Sequence, residues 1–108
     1  MANPNEIFTE INSRLEANPS KIAGMNAAYA FDLSGDDGGA YHITLKDGSG
    51  EAGPGAAENP NITISMKDTD FVDLATGKLD GTAAFMSGKL KIKGDIGLAM
   101  KLQGILRV

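Results

Sequence analysis

A chain of 108 residues, 42% hydrophobic and 22% charged, has room for one core, and residues 1–108 are read as a single domain. With no cysteine, disulfides and thiol catalysis are excluded, and a formal charge of −4 argues against nucleic acid as the main partner. The longest apolar run, Ala27–Phe31, has five residues against the ~18 of a membrane span. The first residues carry no basic-then-apolar leader, so the expected compartment is the cytoplasm. The charge is uneven. Residues 1–77 hold four Lys/Arg against twelve Asp/Glu, a balance of −8, whereas residues 78–108 hold six against two, a balance of +4. The basic end suits an anionic headgroup or a coenzyme A phosphate; a solvated lysine face is the plainer alternative.

In chain order the first predicted element is a helix. Asn3 is its cap, Pro4 suits its first position and Glu6 stands at capping-box spacing. Ile7, Phe8, Ile11 and Leu15 share one face, and Asn18-Pro19 ends the helix. Period-two alternation follows in three segments. Met25, Ala27, Tyr29, Phe31 and Leu33 lie on one side of the first strand. Tyr41, Ile43 and Leu45 lie on one side of the second, and Ile62, Ile64 and Met66 on one side of a later one. Gly35 to Gly39 supplies the turn between the first two strands. A short edge strand is expected near Gly48–Gly53, and a loop over Gly53–Pro60. Asp68 is expected to cap a helix carrying Phe71, Leu74 and Ala75, ended by Gly77, and Asp80 a shorter one carrying Ala84 and Phe85, ended by Gly88. A last strand puts Leu90 and Ile92 inward and Lys89, Lys91 and Lys93 outward, and Asp95 caps a final helix. Polar opposite faces throughout predict a sheet covered by helices on one side only.

Few groups suit catalysis. Gly48-Ser49-Gly50-Glu51-Ala52-Gly53 fits G-x-G-x-x-G, yet no helix begins there and Glu51 would repel phosphate, so a nucleotide role is not expected. His42, the one histidine, sits on the polar side of its strand without a recognisable partner pair. Asp36-Asp37 and Asp68-Thr69-Asp70 read as turn and cap residues rather than metal ligands. No enzyme activity, cofactor or metal is expected.

The final helix is unusual. Leu98, Ala99, Leu102, Ile105 and Leu106 form one stripe, and Ile96 and Met100 a second patch apart from it. One stripe suffices to seat a terminal helix, so a second patch implies either a second apolar surface or broad burial in a plain core. Gly97 and Gly104 each cost about 1 kcal/mol relative to alanine, which suits a helix that approaches something closely or moves. Met66, Met86 and Met100 add adaptable side chains.

The run Phe85–Leu102, backed by Asp70-Phe71, Leu74–Lys78, Asp47–Gly50 and Asn61–Met66, resembles the type-two sterol carrier protein family. The resemblance implies an α+β fold, a five-stranded, mostly antiparallel sheet with helices packed on one face, enclosing an apolar tunnel. It also implies non-enzymatic binding and transfer of fatty acids, acyl-coenzyme A, phospholipid or sterol-like lipids. The lining it suggests is Phe71, Leu74, Phe85, Met86, Ile92, Leu98, Met100, Leu102 and Ile105. The expected partners are a lipid or fatty-acyl ligand and at most transient membrane contact; an accessory domain that presents acyl substrates to an acyl-metabolising partner enzyme is an alternative. Animal members bind anionic membranes through their first helix; here Glu6, Glu10 and Glu16 against Arg14 put that role in doubt, and the basic residues Lys89, Lys91, Lys93, Lys101 and Arg107 are the expected contact instead. A fully packed interaction module is the rival reading.

Overall fold

A computed structural model describes residues 3–106, without the side chains of Lys21 and Gln103; Arg107 lies outside the described residues. Helix α1 spans Pro4–Ala17, and a 3-10 turn follows at Pro19–Ile22. Strands β1 (Ala27–Ser34), β2 (Gly39–Lys46), β3 (Ser49–Pro54) and β4 (Ile62–Lys67) come next. Helices α2 (Asp68–Ala75) and α3 (Gly81–Met86), strand β5 (Leu90–Gly94) and helix α4 (Ile96–Leu106) complete the chain.

The strands form a single five-stranded sheet in the order β3-β2-β1-β4-β5. Pairings β1–β2, β2–β3 and β4–β5 are antiparallel. Pairing β1–β4 is parallel, with Tyr29 opposite Ile62 and Phe31 opposite Ile64. The meander β1-β2-β3 grows to one side of β1, so the chain must cross back over the sheet before β4 can extend the other side, and that crossover makes the pair parallel. The α+β architecture is therefore a mixed sheet. Alternation sets its faces: Tyr29, Phe31 and Leu33 of β1, Tyr41, Ile43 and Leu45 of β2, and Ile62, Ile64 and Met66 of β4 are all buried on the helical side. The opposite face carries the polar residues of the alternation, with Asp32 and Thr44 exposed and His42 part-buried.

The helical layer has two unlike halves. Over β1–β3, α1 and α2 close on an aromatic core. Phe8 stacks on Tyr41 at 4.5 Å and on Phe71 at 4.9 Å, and meets Phe31 edge-on at 5.2 Å between ring centroids. Such pairs add about 0.5–1.5 kcal/mol each beyond the area they bury. Helix α1 covers the edge strand β3 closely because Gly50 has no side chain; a Cβ there would lie 2.9 Å from the Ile22 Cδ1 and 3.1 Å from the Leu15 Cβ. The Asn12 Oδ1 on α1 also accepts from the Ala52 amide of β3 at 3.0 Å. Over β4 and β5 the cover is α3 and α4, and packing there is aliphatic and incomplete.

Caps follow the sequence with one exception. The Asn3 Oδ1 accepts from the Glu6 amide at 2.9 Å, the Asp80 carboxylate from Ala83 at 3.0 Å and Asp95 from Gly97 at 2.9 Å. Asp68 is not the cap of α2 but its first residue, following Lys67. Its buried carboxylate accepts from the Asp37 amide at 2.9 Å and the Thr69 amide at 2.8 Å, tying the β1–β2 turn to α2. The capping pattern in sequence is the same; only the three-dimensional neighbour Asp37 distinguishes the two roles.

Candidate functional site

Between β4, β5, α3 and α4 lies an apolar cavity of about 240 Å³ that opens to solvent. Its floor is Ile64 of β4 with Leu90 and Ile92 of β5, all on the helical side of the sheet. One wall is α2 and α3, through Leu74, Gly81, Thr82 and Phe85; the other is α4, through Ile96, Ala99, Met100 and Leu102. Among the described residues no buried side-chain nitrogen or oxygen lacks a partner. The lining is aliphatic, aromatic or thioether apart from the Thr82 hydroxyl and backbone, so the interior offers mainly dispersion and desolvation. Any charged end of an occupant must stay at the mouth.

Helix α4 is positioned by its first turn. Gly94 has φ +120°, and a Cβ there would stand 2.4 Å from the Asn61 carbonyl, so only glycine lets β5 end against that strand. The Asp95 amide then donates to the Asn61 carbonyl at 3.1 Å. The fully buried Tyr29 reaches up from β1 to donate its hydroxyl to the Leu98 carbonyl at 2.8 Å. Burial, helped by the charge of Asp95, pushes the Tyr29 phenol up to about 12, so it stays a neutral donor. Leu102, Ile105 and Leu106 anchor the far end of α4 in the core.

Of the lining residues expected from the sequence, Leu74, Phe85, Ile92, Met100 and Leu102 come together at this cavity. The others lie elsewhere. Phe71 is 0% exposed inside the aromatic stack, and Ile105 is buried in the core under α4. Leu98 is half-buried against the core and gives its carbonyl to Tyr29. Met86 is 81% exposed and outside the cavity. Met100 lines the mouth while 82% exposed, so it is neither packed core nor a deep wall. Ile64, Leu90, Ile96, Ala99, Gly81 and Thr82 were not singled out as lining. The inward faces of β4 and β5 carry a readable signal for Ile64 and Leu90, and the second patch of α4 one for Ile96. Nothing local marks Gly81 or Thr82. The second apolar patch of α4 does face a cavity, whereas Gly104 is met by open space and shows no close approach.

Other candidate chemistry is sparse. The ring of His42, on the polar sheet face, lies 3.2 Å from the Gly55 carbonyl and 3.2 Å from the Glu51 carboxylate. The Gly48–Gly53 motif runs through the β2–β3 turn and β3, with no helix N-terminus at its end. Among the described residues no three His, Asp or Glu side chains are grouped to hold a metal ion, and no helix is long and apolar enough to cross a membrane.

A mixed sheet with an apolar cavity beneath α3 and α4 is an arrangement of sterol-carrier type. The profile of the SCP-2 sterol transfer family matches residues 8–107, and the chain belongs to that family. Hydroxysteroid dehydrogenase-like protein 2 of Mus musculus is 45% identical over 86 residues, 79% of this chain but 18% of that protein. Peroxisomal multifunctional enzyme A of Dictyostelium discoideum is 40% identical over 108 residues, 97% of this chain and 24% of that protein. The chain therefore spans a quarter or less of these relatives. Among solved structures, sterol carrier protein 2 of Yarrowia lipolytica in its apo form superposes with a TM-score of 0.79 at 28% identity, covering 94% of this chain and 88% of that one. The sterol carrier protein-2 of Aedes aegypti, solved in complex with palmitate, shares the fold with a TM-score of 0.71 at 22% identity, covering 98% and 96%.

Proposed function

We propose that this domain binds and carries a hydrophobic ligand with a long acyl or similar chain in the β4–β5–α3–α4 cavity, without catalysing a reaction. The observation that carries the reading is the solvent-reachable, largely apolar cavity in a chain of this family. Leu74, Phe85, Leu90, Ile92, Ala99 and Leu102 supply the contact, and Ile96 and Met100 flank the mouth. Each methylene moved from water into such a space contributes about 0.8 kcal/mol, and association costs of ~4–15 kcal/mol are set against the sum. Methylenes look alike to an apolar wall, so selectivity among fatty acids, acyl-coenzyme A, phospholipid and sterol-like ligands is expected to be low. The fold neighbour from Aedes aegypti holding palmitate supports a fatty acid as the first ligand to test.

The relatives favour one refinement. Both are named as, or after, much larger enzymes, which supports a domain that presents acyl substrates to an acyl-metabolising partner. A cysteine-free composition accords with a reducing compartment such as the cytoplasm, although the Dictyostelium relative is named peroxisomal.

The deciding experiment is a fluorescent fatty-acid titration with native mass spectrometry, on the natural chain and on Ala99→Phe. Ala99 is half-buried on the cavity wall, and a ~150 Å³ apolar cavity accepts a benzene ring, so a benzyl group has room here. Displacing about five methylenes forfeits ~4 kcal/mol, or roughly a thousandfold in affinity. Stability should hold, because filling a void avoids the ~1–3 kcal/mol of overpacking. Equal affinity in both proteins, or no binding by the natural chain, would overturn the proposal.

A further inference from the structure

Four large apolar side chains stand exposed beside this cavity: Phe85 at 48%, Met86 at 81%, Ile96 at 53% and Met100 at 82%. Three of them line its mouth, and Met86 follows Phe85 at the end of α3. Burial of a ligand accounts for the inner surfaces of that trio; it gives Met86 nothing to do. Exposed apolar groups collected at one place mark an interaction surface.

The sheet order decides what that surface meets. Strand β5 is an edge strand, and α3 and α4 lie beside it under the sheet. Its outward residues Lys91 and Lys93 and the preceding Lys89 are all exposed. Lys101 is exposed next to Met100, and Lys78 leads into α3. Asp80 and Asp95 are the acids of this region, and both are engaged as helix caps. Lys89 and Lys91 share a polar groove with Asp32 and Asp70, which tempers their field without reversing it. The acidic helix α1 lies at the opposite edge, over β3, roughly four strand spacings of ~4.8 Å away. Glu6, Glu10 and Glu16 stand exposed there, and the one basic group of α1, Arg14, pairs with Glu10. The domain is thus polarised along its strand order, with charge and apolar surface both concentrated at the β5 edge. Lysines on an edge strand also discourage strand pairing. That role does not explain four apolar side chains beside them.

We propose that the β5 edge docks on an anionic lipid bilayer, with Met86, Phe85, Ile96 and Met100 entering the headgroup region and the lysines pairing with lipid phosphates around them. A bilayer facing this edge meets the apolar tips from one side of the sheet and Lys89, Lys91 and Lys93 from the other. The cavity mouth then opens onto the lipid, which rests on the lipid-carrier reading above.

The chain contains no tryptophan, so single insertions report position without background. Met86→Trp and, at the opposite edge, Thr9→Trp are mixed with vesicles of phosphatidylcholine alone or with added phosphatidylglycerol. The expected result is a blue-shifted emission for Met86→Trp with anionic vesicles only, suppressed by salt, and no shift for Thr9→Trp. Replacing Lys89, Lys91 and Lys93 together by Gln should weaken vesicle binding by about 100-fold, near fivefold per lysine. Met86→Asp should abolish docking while fatty-acid uptake from solution is kept, since Met86 is outside the cavity. A shift at Thr9→Trp instead, equal binding to neutral vesicles, or indifference to the lysine changes would overturn the proposal. So would a concentration-dependent blue shift of Met86→Trp without vesicles, which would mean that a second copy covers this edge. Loss of fatty-acid uptake in the natural chain with docking intact would instead count against the carrier function, so the two failures are separable.

Discussion

The size of the cavity sets how affinity should depend on ligand length. An apolar void of ~150 Å³ accommodates the six carbons of benzene, about 25 Å³ per carbon. At that density a cavity of about 240 Å³ takes a chain of roughly ten carbons. Each added methylene up to that length should raise affinity about fourfold, the equivalent of ~0.8 kcal/mol. Beyond it, further carbons lie across the half-exposed Phe85 and Ile96 with one side in water, and the gain should fall to about twofold per carbon. The measurement is calorimetric titration of saturated fatty acids from eight to sixteen carbons, kept below their micelle concentrations. A break near ten carbons is expected. An undiminished slope to sixteen would show that the helices part to enlarge the site, and the volume argument would be refuted. A slope of zero throughout would remove the cavity as the binding site.

Three other outcomes test individual residues. Tyr29→Phe should cost about 0.5–1.5 kcal/mol at neutral pH for the lost bond to Leu98. With its folded pKa raised to about 12 from 10.0, Tyr29 stabilises the fold fully below pH 10 and ceases to do so as pH rises through 12. The difference in unfolding free energy between natural chain and variant, read from urea titrations, should therefore shrink and reverse over that window, by up to about 3 kcal/mol in all. Phe71→Leu should lower stability by about 1–2 kcal/mol while fatty-acid affinity stays within threefold, because Phe71 belongs to the stack with Phe8 and not to the cavity; a large affinity loss at unchanged stability would contradict this. Gly94→Ala should cost at least ~3 kcal/mol, since positive φ and a 2.4 Å approach to the Asn61 carbonyl both oppose a Cβ; a melting temperature within about 2 °C of the natural chain would refute the geometry.

Period-two alternation and capping residues made the elements legible, because strands half in water must alternate and helix ends must satisfy their amides. The one-sided cover follows from the same polar faces. What alternation cannot specify is which strands are neighbours. The β1–β4 pair has the same side-chain pattern whether parallel or antiparallel, and only the crossover decides. The candidate site was legible in outline through the split apolar surface of α4. Phe71, Met86, Leu98 and Ile105 lie outside the cavity, a placement the sequence does not carry, because hydrophobicity reports that a side chain avoids water but not whether protein or void lies beyond it. Phe71 and Phe85 are the same residue type on adjacent helices, yet one is 0% and the other 48% exposed. The partner that separates them is Phe8, more than sixty residues away.

The two halves of the helical layer divide the work of stability and binding. Aromatic packing of Phe8, Phe31, Tyr41 and Phe71 fills the space between α1, α2 and the sheet beneath them. Helix α4 is intrinsically weak, with eleven residues and the glycines Gly97 and Gly104. It is nonetheless fixed at both ends, by Tyr29 and Asp95 at one and by Leu102, Ile105 and Leu106 at the other. A helix pinned in this way does not swing away cheaply. The adaptable parts of the mouth are side chains, above all Met100, whose unbranched thioether has three rotatable bonds and little packing to lose. Widening of the mouth should therefore come from rotation of Met100 and Phe85 rather than departure of α4, which is why the interior volume, and not the length of the helix, limits how much chain is fully enclosed.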